Sequence, residues 1–130
     1  MFRKILVAGS MAVAVVALTA GTAIAAIPDN VDAPYARAAV MVKADGTVLK
    51  AKGVDSVVRK DAGKYCVTFT DSRLVPGEVI PTTTALTWDR FVTVPAIPSS
   101  ICDRDPRVFA VGTSDNTKAW ADSGFTLVIN

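Results

Sequence analysis

Lys64-Tyr65-Cys66-Val67-Thr68-Phe69-Thr70 decides the fold of this chain. Side chains alternate across an extended strand, so Tyr65, Val67 and Phe69 share one face and Cys66, Thr68 and Thr70 share the other. One face is apolar and aromatic. The other is polar but carries a cysteine, which predicts a strand covered in part on both sides, with a disulfide pinning a loop over its outer face. Gly124-Phe125-Thr126-Leu127-Val128-Ile129 repeats the alternation near the C-terminus, with Phe125, Leu127 and Ile129 inward.

Working outward, the remaining segments are short, rich in Val, Thr, Phe and Tyr, and separated by Gly, Pro, Asp and Asn. No window of ten residues sustains a helical period. Ala36 to Lys43 and Val48 to Lys52 flank Ala44-Asp45-Gly46-Thr47, a hairpin for which Asp-Gly predicts a type I′ turn. Val54 to Arg59 is a further strand before the Lys60-Asp61-Ala62-Gly63 turn. Arg107 to Thr113 is another, with Arg107, Phe109 and Val111 on one side, and Ser114-Asp115-Asn116 turns the chain toward the last strand. Between Asp71 and Arg104, Pro76, Pro81, Pro95 and Pro98 each remove a backbone donor, so strands at Thr82 to Leu86 and Phe91 to Val94 are expected to be short, edge-located or bulged. Seven or eight short antiparallel strands with this spacing predict an all-β sandwich or barrel, with an Ig-like sandwich as the favoured reading, in a single domain over residues 35–130.

The N-terminus carries an address. Arg3 and Lys4 precede an uncharged stretch from Ile5 to Ile27, whose Ile5 to Leu18 portion is the hydrophobic region of a signal peptide. Ala23-Ile24-Ala25 is the small-x-small pattern that signal peptidase reads, giving cleavage after Ala25 or Ala26. The competing reading is an uncleaved anchor. Residues 26–34, with two prolines and two aspartates, form a tether into the first strand. The chain is thus expected to be secreted, with no membrane association after cleavage. Loss of Arg3 and Lys4 takes the 14 basic residues to twelve, against 12 acidic ones. A neutral product offers no electrostatic footprint for nucleic acid.

Cys66 and Cys102 are the only two cysteines, and in an oxidising compartment an even pair predicts one structural disulfide. Closing the 36-residue loop is worth about 3–4 kcal/mol in the chain-entropy account. Their spacing is not that of a redox C-x-x-C motif.

Two stretches carry a resemblance. Gly53-Val54-Asp55-Ser56-Val57-Val58-Arg59 with Gly63-Lys64-Tyr65-Cys66-Val67-Thr68-Phe69 is one, and Val111 to Thr117 with Ala121 to Ile129 is the other. Together they resemble small exported actinobacterial β-rich proteins of unassigned activity, and more loosely the β modules near the tips of phage tail fibres. The resemblance implies a β-rich fold and supplies no catalytic residue.

The chain has no histidine, which excludes Ser-His-Asp and Cys-His catalysis and His-ligated zinc. No cofactor and no metal is expected. Asp103, Asp105, Asp115 and Asp122 are too few and too scattered for a calcium loop, and Cys102 to Pro106 reads as a solvated turn with a local Asp-Arg pair. Trp88, Arg90, Phe91 and Trp120 are the candidate ligand-binding residues, because tryptophans in turns between strands stack on sugar rings while neighbouring polar groups bond to hydroxyls. With only two tryptophans, the packing role takes precedence: Trp88 and Trp120 are expected to cap the two ends of the core.

The expected function is a noncatalytic binding or surface-interaction module whose partner is a cell-envelope glycan or another secreted protein. Two alternatives stand beside it. One is a carboxylate-dependent hydrolase using Glu78, the only glutamate. The other is an inhibitor of secreted proteases presenting the Pro95 to Pro106 segment.

Overall fold

A computed structural model describes residues 26–130; the signal-peptide expectation falls on residues 1–25, outside the described residues. Eight strands follow: β1 (Ala38–Val42), β2 (Val48–Lys52), β3 (Val54–Asp61), β4 (Lys64–Phe69), β5 (Pro81–Ala85), β6 (Phe91–Thr93), β7 (Val108–Ser114) and β8 (Phe125–Ile129). A single-turn 3-10 helix, Ser100–Cys102, precedes β7. All pairings are antiparallel, in one sheet of order β2-β1-β8-β5 and a second of order β3-β4-β7-β6. The chain is an all-β sandwich.

Its path follows from local chemistry. Gly53, with φ of 68°, turns the chain from β2 in the first sheet directly into β3 in the second. Strands β5 to β8 then cross between the sheets: β6 and β7 pair in the second, and β8 returns to the first to lie beside β5. The two proline-flanked strands, β5 and β6, both sit at sheet edges, and Pro81 is the first residue of β5, where a missing donor costs least.

The β1–β2 turn departs from the type I′ expectation. Gly46 has φ of 93° while Asp45 has no positive φ, and Gly46 N donates to Lys43 O at 2.9 Å. The Asp45 carboxylate accepts from Thr47 N at 2.9 Å, an Asx turn that holds Asp45 on the ordinary side of the backbone map and leaves the left-handed position to Gly46 alone.

The inward faces meet as the alternation predicts. Val40 and Leu127 from one sheet pack with Val67, Phe69, Phe109 and Val111 from the other. Tyr65 and Phe125 meet edge to face across the sheets at 5.1 Å, and Phe69 meets Phe109 at 5.4 Å, contacts worth about 0.5–1.5 kcal/mol each beyond their buried area. Leu74, in the loop after β4, is also fully buried. The tether is docked rather than free. Asn30 exchanges hydrogen bonds with Ala51 on the β2 edge at 2.8 and 3.1 Å, and Ile27 packs against the core.

Candidate functional site

The outer face of the second sheet holds the chemistry. Because Tyr65, Val67 and Phe69 point inward, Lys64, Cys66 and Thr68 point outward; on β7 the outward residues are Ala110, Gly112 and Ser114. The disulfide Cys66–Cys102, with Cα atoms 5.8 Å apart, draws the 3-10 helix onto this face. Ser99 Oγ accepts from Ile101 N at 3.2 Å to start that helix, and Asp103 in the left-handed region (φ 58°) ends it. Cys66, Cys102 and Ala110 form a small second core, with Ile101 and Val108 against it.

Two hollows border this cover. One, of about 190 Å³, is lined by Thr68, Lys60, Asp103 and Asp105, and its single cation is taken up by Asp103, whose Oδ2 lies 3.3 Å from Lys60 Nζ. The other is a groove of about 260 Å³ with Gly112 and Ser114 among its lining, Thr93, Pro95 and Ile101 along it, and Trp120 and Lys118 completing it.

Trp120 reaches the groove through a turn that the sequence prepares locally. Asp115 accepts from Thr117 N at 2.8 Å, Thr117 Oγ1 at 2.6 Å and Ala119 N at 3.1 Å, and these donors, led by the Thr117 hydroxyl, hold its carboxyl below the usual aspartate range. Lys118 takes φ of 70° to close the turn. Thr113 Oγ1 donates to Ala121 O at 2.6 Å, and Trp120 then bridges back to Ser114. The indole rests on Gly112: a Cβ added there would stand 3.0 Å from the ring. Lys64 Nζ lies 5.0 Å from the ring centroid, within cation–π range.

Beneath the same end lies a second constellation around Asp122. Its carboxylate accepts from Arg59 Nε at 3.1 Å, Arg59 Nη2 at 2.8 Å and Gly63 N at 2.8 Å. The Tyr65 hydroxyl donates to Ala44 O at 2.6 Å and stands 3.2 Å from Asp122 Oδ1. Arg59 holds the Asp122 carboxyl below its ordinary value, while burial pushes the Tyr65 hydroxyl up. Every partner is satisfied by this chain, so the cluster is a clamp.

The four candidate ligand residues divide. Trp120 is 52% exposed and lines the groove. Phe91, 57% exposed, is registered against Ser114, the residue that Trp120 bridges from the other side. Arg90 is committed to backbone, donating to Asp122 O at 3.2 Å and Asp89 O at 3.1 Å. Trp88, 93% exposed in the β5–β6 turn, lines neither of these hollows. Neither tryptophan caps the core, contrary to expectation, because Tyr65 with Phe125 and Phe69 with Phe109 and Leu74 already fill it. Sequence reasoning missed Gly112, Thr93, Ser114 and the two lysines; the only local signal was the outward phase of Gly112 and Ser114 on β7.

The other candidates are placed as follows. Glu78 is exposed in the turn after Pro76-Gly77, where its N donates to Val75 O at 3.1 Å. The clearly shifted carboxyls, Asp45, Asp71, Asp115 and Asp122, are all shifted downward, the reverse of what a general acid requires. The centre of the Pro95 to Pro106 segment lies down against the sheet, with Cys102 buried and Ile101 half-buried. In the turn from Cys102 to Pro106, Asp103 pairs with Lys60 rather than with a neighbouring arginine. Among the described residues no three His, Cys, Asp or Glu side chains are grouped to hold a metal ion, and no helix is long and apolar enough to cross a membrane. No family model, curated protein or solved structure matches this chain.

Proposed function

We propose that the protein is a secreted, noncatalytic module that binds saccharide through the groove beside Trp120. One observation carries the reading: a half-exposed indole held against a glycine in an open groove, with Thr93 and Ser114 beside it. Sugar rings present apolar C–H faces that pack on aromatic rings, and their hydroxyls find partners in side-chain hydroxyls. The glycine lets a ring approach the sheet where any side chain would block it. The disulfide supports an extracellular setting, as does the signal-like N-terminal sequence.

The test is a pull-down of the purified protein on insoluble cell-envelope polysaccharide, with tryptophan fluorescence as a second readout. Wild type and Trp88→Ala bind alike, and Trp120→Ala binds about tenfold more weakly, the scale of one lost aromatic stacking contact. Equal retention of wild type and Trp120→Ala, or no retention of wild type, refutes the assignment. Intact-mass analysis of culture medium checks export: the expected species is residues 26–130 or 27–130 less two hydrogens.

A further inference from the structure

We infer that the Trp120 groove selects acidic saccharides, those bearing a carboxylate on the sugar ring, over neutral ones. This rests on the saccharide reading above and adds the ligand's charge. Residues 26–130 balance twelve basic against twelve acidic side chains, and four of the cations are ion-paired: Arg37 and Arg73 with Asp71, Arg59 with Asp122, Lys60 with Asp103. The groove gathers two of the cations that are not. Lys118 lines it and Lys64 stands over Trp120, and neither lies within 4.0 Å of a carboxylate among the described residues.

Three acids stand near these charges without pairing to them. Asp61 is the Cα partner of Lys64 across β3–β4, but its Oδ1 accepts from Ala62 N at 2.8 Å and it lies beyond 4.0 Å of Lys64 Nζ. Asp115 is turned into its own loop by three donors and has Arg90 as a neighbouring cation; Asp122 is spent on Arg59. No acidic residue lines the groove. Two unpaired ammonium groups flanking an aromatic surface attract an anion and repel a cation. Because Lys64 Nζ is only 5.0 Å from the indole centroid, the anionic group must belong to the stacked sugar itself rather than to a distant substituent. A ring carboxylate, as in a uronic acid, meets that requirement and gives Lys64 a charge-assisted hydrogen bond, with the Lys118 charge adding to the attraction.

Oligogalacturonate and its fully methyl-esterified form provide a matched probe, since esterification removes charge and keeps the ring. Titrations by calorimetry at low and at physiological salt are expected to show at least tenfold tighter binding of the acid, with the difference shrinking as salt rises. Lys64→Met keeps the aliphatic stem, and Lys118→Asn suits the left-handed backbone there; each is expected to reduce the acid-over-ester preference several-fold while circular dichroism is unchanged. Equal affinity for acid and ester, with both still lost in Trp120→Ala, overturns charge selection and leaves the saccharide reading intact. Tighter binding of the ester has the same consequence. If neither probe nor envelope polysaccharide is bound, both readings fall.

Discussion

Asp122 shows how one side chain joins parts of the molecule that sequence keeps far apart. Its partner Arg59 lies 63 positions earlier, and it also anchors the β3–β4 turn through Gly63 N. Nothing local to either residue announces the pair, which is why sequence reading left Asp122 as a stray carboxylate. Asp122→Ala strands the Gly63 donor and part of the Arg59 guanidinium, and is expected to cost about 2 kcal/mol in urea unfolding. Acid sensitivity belongs to this scale too. Arg73 holds the Asp71 carboxyl down to about 2 from an ordinary 3.8. A carboxyl lowered in the folded state stabilises fully above its unfolded value, and that contribution disappears as pH falls through the folded one. The urea midpoint should therefore drop between pH 4 and pH 2, and the drop should be smaller in Asp71→Asn.

At the scale of elements, β4 and β8 were legible because one buried face imposes strict alternation, and Phe125, Leu127 and Ile129 are buried as read. The prolines around β5 and β6 limited those strands to short, edge or bulged ones, and the fold places both at edges. Leu74 was not: a single apolar residue in an irregular loop has no period, and only the fold shows that it plugs the core. The type I′ expectation failed because Asp45 had a stronger local option in bonding Thr47. Gly63 is the element-scale weak point. It sits at φ of 70°, and a Cβ there would collide with the Thr113 carbonyl and with Ala121 N at 2.9 Å. Gly63→Ala should lose at least about 2 kcal/mol, read as a lower thermal midpoint. Replacing both cysteines by serine should cost about 3–4 kcal/mol, read by urea unfolding under identical buffer conditions.

At the scale of the whole molecule, the sandwich was readable and the groove was not. Strand count and class follow from repeated short apolar alternations, which any antiparallel pairing would satisfy. The groove depends on which strands pair: only the β4–β7 register sets Lys64 beside Gly112, and only the return of the chain after Ser114 lays Trp120 on that glycine. An outward glycine on a strand looks like a weakness until its neighbour is known. The cysteine bridge carries a consequence for timing. Ile101, one wall of the groove, is held beside Cys102, so while both thiols are still reduced the sandwich can close without a finished recognition surface. Protein kept in dithiothreitol should accordingly retain its β-sheet circular dichroism yet lose saccharide capture, and reoxidation should restore it.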